Sequence, residues 1–405
     1  MPASTDIGTG ARIASYRRLH HLTQRGLAAK AHVSYSLLTK VEAGIKPASA
    51  SLIAACARAL DVPVTTLNGQ PFALEHTVDR LDGPLSELRA ALDNWDMPLE
   101  ELPVRPLAEV ERDVMALVQA RRDANFAALA SLAPGLINEL VQISATVSGH
   151  AAEEAHRLLA HVYRSAHAVA YGLGLTDLAA LLLARMEFSA QRCADGNLLG
   201  LYRYMRARRA FSTGRHEVGH RIVLRAAGEL DSAVSAGDTG ALCVVGNLHL
   251  RAAMLVTRDG NEVRAREHLA EARRLAIQVG REIEGGIGSR HVMSFGPTNV
   301  SIHAAAVEVE LGKYGQALKL AKEVHFPEEF PADRISHHWI DTARAQMWTG
   351  KNDAALASLL KARKAAPQQT KYHPSVRETL TGLVRAARGA PETLTGYASW
   401  VGVPL

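Results

Sequence analysis

Three sets of side chains in this chain have the types and the spacing to do chemistry. Tyr35, Ser36, Thr39 and Lys40 fall on one side of a helix that runs from Ser34 toward Gly44. Their hydroxyls donate and accept, the ring stacks, and the ammonium seeks negative charge. A helix uses these interactions to read base edges and phosphates in a duplex groove. Asn247 and Asn299 occupy equivalent slots in a C-terminal repeat, and Arg164, Arg208 and Arg344 fall on the same repeated helices. An Asn amide donates to and accepts from an extended peptide backbone at once, and a guanidinium fork holds a carboxylate. The third set, His216-Glu217-Val218-Gly219-His220, fits H-E-x-x-H, a helical zinc spacing with glutamate as base.

The zinc reading meets three objections. Gly219 already has a packing role in the repeat, Arg215 and Arg221 flank a motif usually set in apolar helix, and no spaced His or acid supplies a third ligand. The expectation is therefore no catalytic residue, no metal and no cofactor. A zinc peptidase built on His216, Glu217 and His220 stands as the remote alternative.

The elements that must position the first set lie between Thr23 and Gly44. Leu27, Ala28 and Ala31 give one helix an apolar face, His32 and Val33 carry a turn, and Ser34 is an N-cap. Leu37, Leu38 and Val41 stripe the second helix, and Gly44 stops it. A helix with Ile13 and Tyr16 inward precedes this pair. Ser49 to Leu60 follows, with Leu52, Ile53, Cys56 and Leu60 inward, and a short last helix ends at Leu67.

Charge separates this unit from the rest. The first seventy residues hold eight Lys/Arg against three acids, which equals the net +5 of all 405 residues, so the remainder is neutral. A polyanion-seeking surface is expected on the N-terminal unit alone. The composition, 47% hydrophobic, is that of a globular chain. No secretory signal or membrane span is expected, and three scattered cysteines suggest a reducing cytoplasm.

From Leu107 onward the pattern is helical throughout, and it repeats. Gly174, Gly214, Gly260, Gly312 and Gly350 are each followed at five residues by Ala179, Gly219, Ala265, Ala317 and Ala355, and at nine by Leu183, Val223, Leu269, Ala321 and Leu359. The glycine turns one helix into the next, and the small residue lets the two approach. Between the two regions, residues 71–106 read as a linker with short amphipathic pieces.

The Thr23–Gly44 pattern, with Pro47 and the DVPVTTL ending, resembles the XRE-type helix-turn-helix family. The resemblance implies a five-helix, lambda-repressor-like domain over residues 1–70 that binds double-stranded DNA. Thr23, Gln24, Ser34, Tyr35, Ser36, Thr39, Lys40 and Lys46 would be its DNA-facing residues, and Arg17–Glu42 a structural ion pair. Gly26 stands where the family usually carries a long polar residue. Proteins of this type usually read two half-sites as dimers, so a homodimer on a pseudo-palindromic operator is expected.

The glycine repeat resembles the tetratricopeptide (TPR) pattern, which implies an α-solenoid of helical hairpins over residues 107–405 with a concave inner face. Arg164, Tyr204, Arg208, Asn247, Arg251, Asn299, His303 and Arg344 would face a ligand there. The Gly-rich stretch from Glu282 to His303 breaks the periodicity, and Phe295 and His291 are expected to fold over the groove. The layout resembles peptide-responsive quorum-sensing regulators and actinobacterial XRE regulators with TPR-like halves. The expected fold class is all-α, and the expected function is a transcriptional regulator that senses a peptide or small ligand. A scaffold that binds a partner protein through the solenoid is the alternative.

Overall fold

The computed structural model describes residues 8–71, 81–98, 104–286, 292–387 and 392–403. Within them every element is a helix, apart from one isolated bridge between Ile283 and Phe295.

The head is α1 (Thr9–Leu19), α2 (Gln24–Lys30), α3 (Tyr35–Glu42), α4 (Ala50–Leu60) and α5 (Val64–Asn68). The cap expected at Ser34 forms, its Oγ accepting from the Leu37 N–H at 3.2 Å, and the structure adds two more: Thr23 Oγ1 accepts from the Gly26 N–H at 3.0 Å and Ser49 Oγ from Leu52 at 3.2 Å. The turn between α2 and α3 passes through His32 in the left-handed region, and Gly44 does the same after α3. Ile13, Leu27, Leu38, Val41, Cys56, Leu60 and Leu67 make a core of their own.

The stretch read as a linker carries α6 (Asp82–Asp93), and its helix does not stand free. Leu85, Leu88 and Leu92 are buried in the main C-terminal core, beside Leu117, Leu129 and Leu140. That core begins with α7 (Leu107–Arg122) and α8 (Phe126–Thr146). Five helix pairs follow: α9 (His150–Leu173) with α10 (Thr176–Ala190), α11 (Gly196–Ser212) with α12 (His216–Gly228), and, past the short α13 (Asp231–Ser235), α14 (Thr239–Arg258) with α15 (Glu262–Val279). The last two are α16 (Pro297–Glu310) with α17 (Tyr314–Lys322), and α18 (Ala332–Trp348) with α19 (Asn352–Ala365). α20 (Pro367–Tyr372), α21 (Pro374–Ala386) and α22 (Glu392–Val401) complete the described chain. α8 and α14 are apolar and long enough to cross a membrane, but most of each is buried inside the protein.

The repeat register explains these pairs. All five glycines have φ between 73° and 79°, each joining the two helices of one pair. Five residues on, Ala179, Ala265, Ala317 and Ala355 are buried. Gly219 is the tightest case, because a Cβ there would lie 3.0 Å from both Ala210 Cβ and a Leu255 methyl.

The array differs from an open solenoid in one respect: its two ends meet. Phe126 stacks on Tyr372 at 6.5 Å, the Ala127 N–H donates to Gln368 Oε1 at 3.1 Å, and Arg122 donates to the Glu329 carbonyl at 3.2 Å. The inner face, expected to be concave, thereby lines a cavity. The head sits against the glycine-turn edge of the array. Arg58 lies 3.3 Å from His216 Nδ1 and 3.5 Å from Asp259, the Lys46 ammonium lies 5.1 Å over the Trp348 ring, and Thr9 donates to Glu378.

Candidate nucleic-acid interface and the cavity behind it

The outer side of α3 faces solvent. Tyr35 is 45% exposed, and Ser34, Ser36 and Lys40 are exposed beside it. The Thr39 hydroxyl donates back to the Tyr35 carbonyl at 2.8 Å, so its oxygen keeps acceptor capacity. Ser34 accepts as a cap, and its own O–H remains available to donate. The guanidinium of Arg25 lies 5.4 Å from the Tyr35 ring centroid, adding a cation to this face that the sequence pattern did not single out.

Beneath the face, Glu42 is 96% buried by side chain and takes both ends of the Arg17 fork, at 2.8 and 2.9 Å, plus the Gln24 amide at 2.8 Å. The Glu42 hydrogen bond and charge hold the Arg17 pKa above its ordinary value against burial. Gln24 is thus tied to Glu42 at the start of α2, with its N–H₂ directed inward. Lys46 leans on the array through Trp348.

Behind the head lies a cavity of ≈ 390 Å³ between α4–α5 and the inner helices of the array. Seven of the nine residues expected to meet a ligand line it: Arg164, Tyr204, Arg208, Arg251, Asn299, His303 and Arg344. Sequence reading missed Arg121, Arg258, Arg334 and Asp341, which line it too. Arg258 stands two residues before Gly260, a slot the register did not sample, and Arg121 belongs to a helix that precedes the first repeat glycine.

Two expectations for the Gly-rich stretch are corrected. Phe295 does not fold over the groove; it is 1% exposed and packs where Gly246 leaves no Cβ in its way. An aromatic ring gains more from that dry contact than from solvent. Backbone bonds between Ile283 and Phe295, at 2.8 and 3.0 Å, fix it there. His291 lies outside the described residues. The Asn pair holds the chain's own backbone: Asn247 Nδ2 donates to the Ser294 carbonyl at 3.0 Å and to Cys243 at 2.8 Å, and Asn299 Nδ2 donates to the same Ser294 carbonyl at 3.3 Å. Arg334 adds a bond to it at 3.2 Å, and Arg164 holds the Val292 carbonyl at 2.7 Å. The slots expected to clamp an extended peptide are therefore occupied from within.

Acid–base environments inside the array diverge. Burial, reinforced by nearby arginines, holds His303 and His337 down to about 3. Burial pushes Asp341 up to about 6 and would do the same to Glu310, but Arg258 and Arg344, at 2.6 and 3.0 Å, outweigh it and lower the Glu310 pKa.

The H-E-x-x-H histidines turn to different partners. His216 Nδ1 meets Asp259 at 3.0 Å, whereas His220 Nε2 meets His268 Nε2 at 2.9 Å. His268 in turn meets His249 through Nδ1 at 3.0 Å, so opposite ring nitrogens are used. Among the described residues no group of three ligands converges on a metal position. Burial, then the neighbouring imidazoles, holds His268 down to about 4. A depressed histidine stabilises the fold fully above the unfolded value, ~6.5, and the contribution is lost as pH falls toward the folded one. Acidification from pH 7 to pH 5 is expected to remove about 1 kcal/mol through His268, a partly exposed group whose shift is discounted for solvent screening. The urea midpoint at the two pH values measures it, and His268→Gln should flatten the difference.

No curated protein matches the chain. The helix-turn-helix family HTH_3 matches residues 13–67, so α1–α5 form an XRE-type helix-turn-helix, the DNA-binding domain of transcriptional regulators.

Proposed function

We propose that this protein is a ligand-responsive transcriptional regulator that binds operator DNA as a homodimer, each head laying α3 in a major groove. Tyr35, Ser36, Thr39 and Lys40 meet base edges, while Thr23 and Ser34, at the helix N-termini, meet phosphate. Gln24 and Lys46 act less directly, since Gln24 orients α2 through Glu42 and Lys46 joins the head to the array. The helical array, TPR-like in its glycine register, is the sensor. One observation carries this reading: the head turns its cationic outer face to solvent while its α4–α5 face closes a cavity in the array. A ligand there contacts both units, which is the differential contact a switch requires.

A single module offers few base contacts, so two heads about one duplex turn apart are needed for specificity. Selection of bound sequences from a random duplex pool by the full chain is expected to return an inverted repeat with half-sites ~10 bp apart, and sedimentation to show a dimer. A single half-site bound by a monomer would overturn the dimer. The Asn clamp, filled by Ser294, favours a small ligand over an extended peptide.

A further inference from the structure

We infer that the cavity under the head is a binding site for a small organic polyanion, a phosphate ester or a di- or tricarboxylate, clamped by Arg121, Arg164, Arg208, Arg251 and Arg334. The inference rests on the sensor reading above and names the chemistry that reading leaves open.

Charge count is the first argument. The residues around the cavity include nine arginines and four carboxylates, and no lysine. Those charges are not evenly matched. Arg258 and Arg344 are neutralised by Glu310, and Arg344 also by Asp341 at 3.0 Å. Among the described residues no carboxylate lies within ion-pair distance of the five arginines named above, and Asp333 acts on Arg121 and Arg164 only from farther away. Their partners are weaker: Arg164 and Arg334 donate to the Val292 and Ser294 carbonyls, Arg251 donates to the Tyr204 hydroxyl at 2.7 Å, and Arg208 lies 4.0 Å over the Tyr171 ring.

Desolvation is the second argument. Arg164 is only 8% exposed. The Nε groups of Arg121 and Arg251 are buried without a hydrogen-bond acceptor. A buried cation short of acceptors is costly unless something supplies the missing charge. Planar guanidinium forks suit the oxygens of phosphate and carboxylate, and several converging on one space select for more than one negative charge. His337, kept neutral by burial, adds an N–H donor without further charge, whereas the single N–H of neutral His303 is spent on the Asn299 carbonyl at 2.8 Å.

Size is the third argument. A space of ≈ 390 Å³ suits a metabolite and not a duplex or a folded partner. The lid over it is the head itself, through Ile53, Val64, Thr65 and Asn68. An anion held there bridges like-charged arginines and braces α4–α5, so occupancy fixes how the head is presented to DNA.

The test is calorimetry and thermal melting of the full chain, without DNA, against fructose 1,6-bisphosphate, citrate, inorganic phosphate and uncharged fructose at fixed ionic strength, followed by its operator affinity with and without each compound. At least one organic polyanion is expected to bind and raise the melting temperature, and fructose is not. Preference for the bisphosphate or for citrate identifies the source of the charge. Arg121→Gln with Arg251→Gln should weaken that binding ~10–100-fold, since each loses a charged hydrogen bond. Neither residue supports the backbone of the Gly-rich stretch, and a cooperative melt of the double variant confirms that it is folded. The site falls if no polyanion binds the wild type, or if the folded double variant binds equally well. If a polyanion binds and operator affinity does not change, the site stands and the sensor reading fails. If uncharged compounds alone alter operator affinity, the sensor reading stands and the polyanion assignment fails.

Discussion

Glu42→Ala is expected to unfold the head and abolish operator binding while leaving the array folded. The Glu42 carboxylate is almost fully buried and accepts from Arg17 twice and from Gln24 once. Removing one partner of a buried pair leaves the other charge without compensation, at a cost of about 3–5 kcal/mol. A domain this small has about 5 kcal/mol or little more in total, so the loss is close to all of it. The head's core is separate from the array's, so melting should split into an early head transition and a later array transition. Glu42→Gln keeps acceptor capacity and should show a smaller loss. A single unshifted transition for Glu42→Ala would mean that the pair is not needed for folding.

Glu310→Ala should damage the array by a similar amount. It leaves Arg258 with the Phe211 ring but no ion-pair partner among the described residues, and Arg344 with Asp341 alone, both inside the array, for about 3–5 kcal/mol. The expected result is a fall in the array's melting transition, with poor solubility on expression. The pH dependence follows from the two acids. Glu310 has a depressed pKa, so its contribution is complete above the unfolded value of ~4.3 and is lost as pH falls through its lower folded value. Asp341, pushed up to about 6, has the opposite sign: the folded state takes up a proton first, so its contribution rises as pH drops from above 6 toward ~3.9. Asp341→Asn should remove that rise, as read from denaturant midpoints between pH 7 and pH 5.

Local features of this fold were legible in the sequence because local forces set them. Ser34 caps the helix that its side chain suits, and the five repeat glycines take the positive φ that a Cβ would oppose. The Arg17–Glu42 pair followed from family resemblance, and not from periodicity. Long-range closure was not legible. Nothing near Phe126 or Tyr372 announces that they stack, and nothing near Arg58 points to Asp259. Phe295 was misplaced because glycines around an aromatic read as an exposed loop, whereas the space it fills is created by Gly246, on another helix. Asn247 and Asn299 were correctly paired in register, but their partner is the Ser294 carbonyl of the same chain. The arginines of the cavity were found only where the repeat register sampled them.

The central claim is that the outer side of α3 reads a duplex. The most direct measurement is fluorescence anisotropy of the full chain on its selected duplex, from 50 to 200 mM salt, for wild type and for Lys40→Ala. Wild-type affinity should fall steeply with salt as condensed counterions return to the phosphates. Lys40→Ala should lose ~10-fold or more at every salt concentration, with a shallower slope if Lys40 meets phosphate and a relaxed base preference if it meets an edge. Salt-insensitive affinity, or a Lys40→Ala variant that binds like wild type with unchanged slope and preference, would contradict the account.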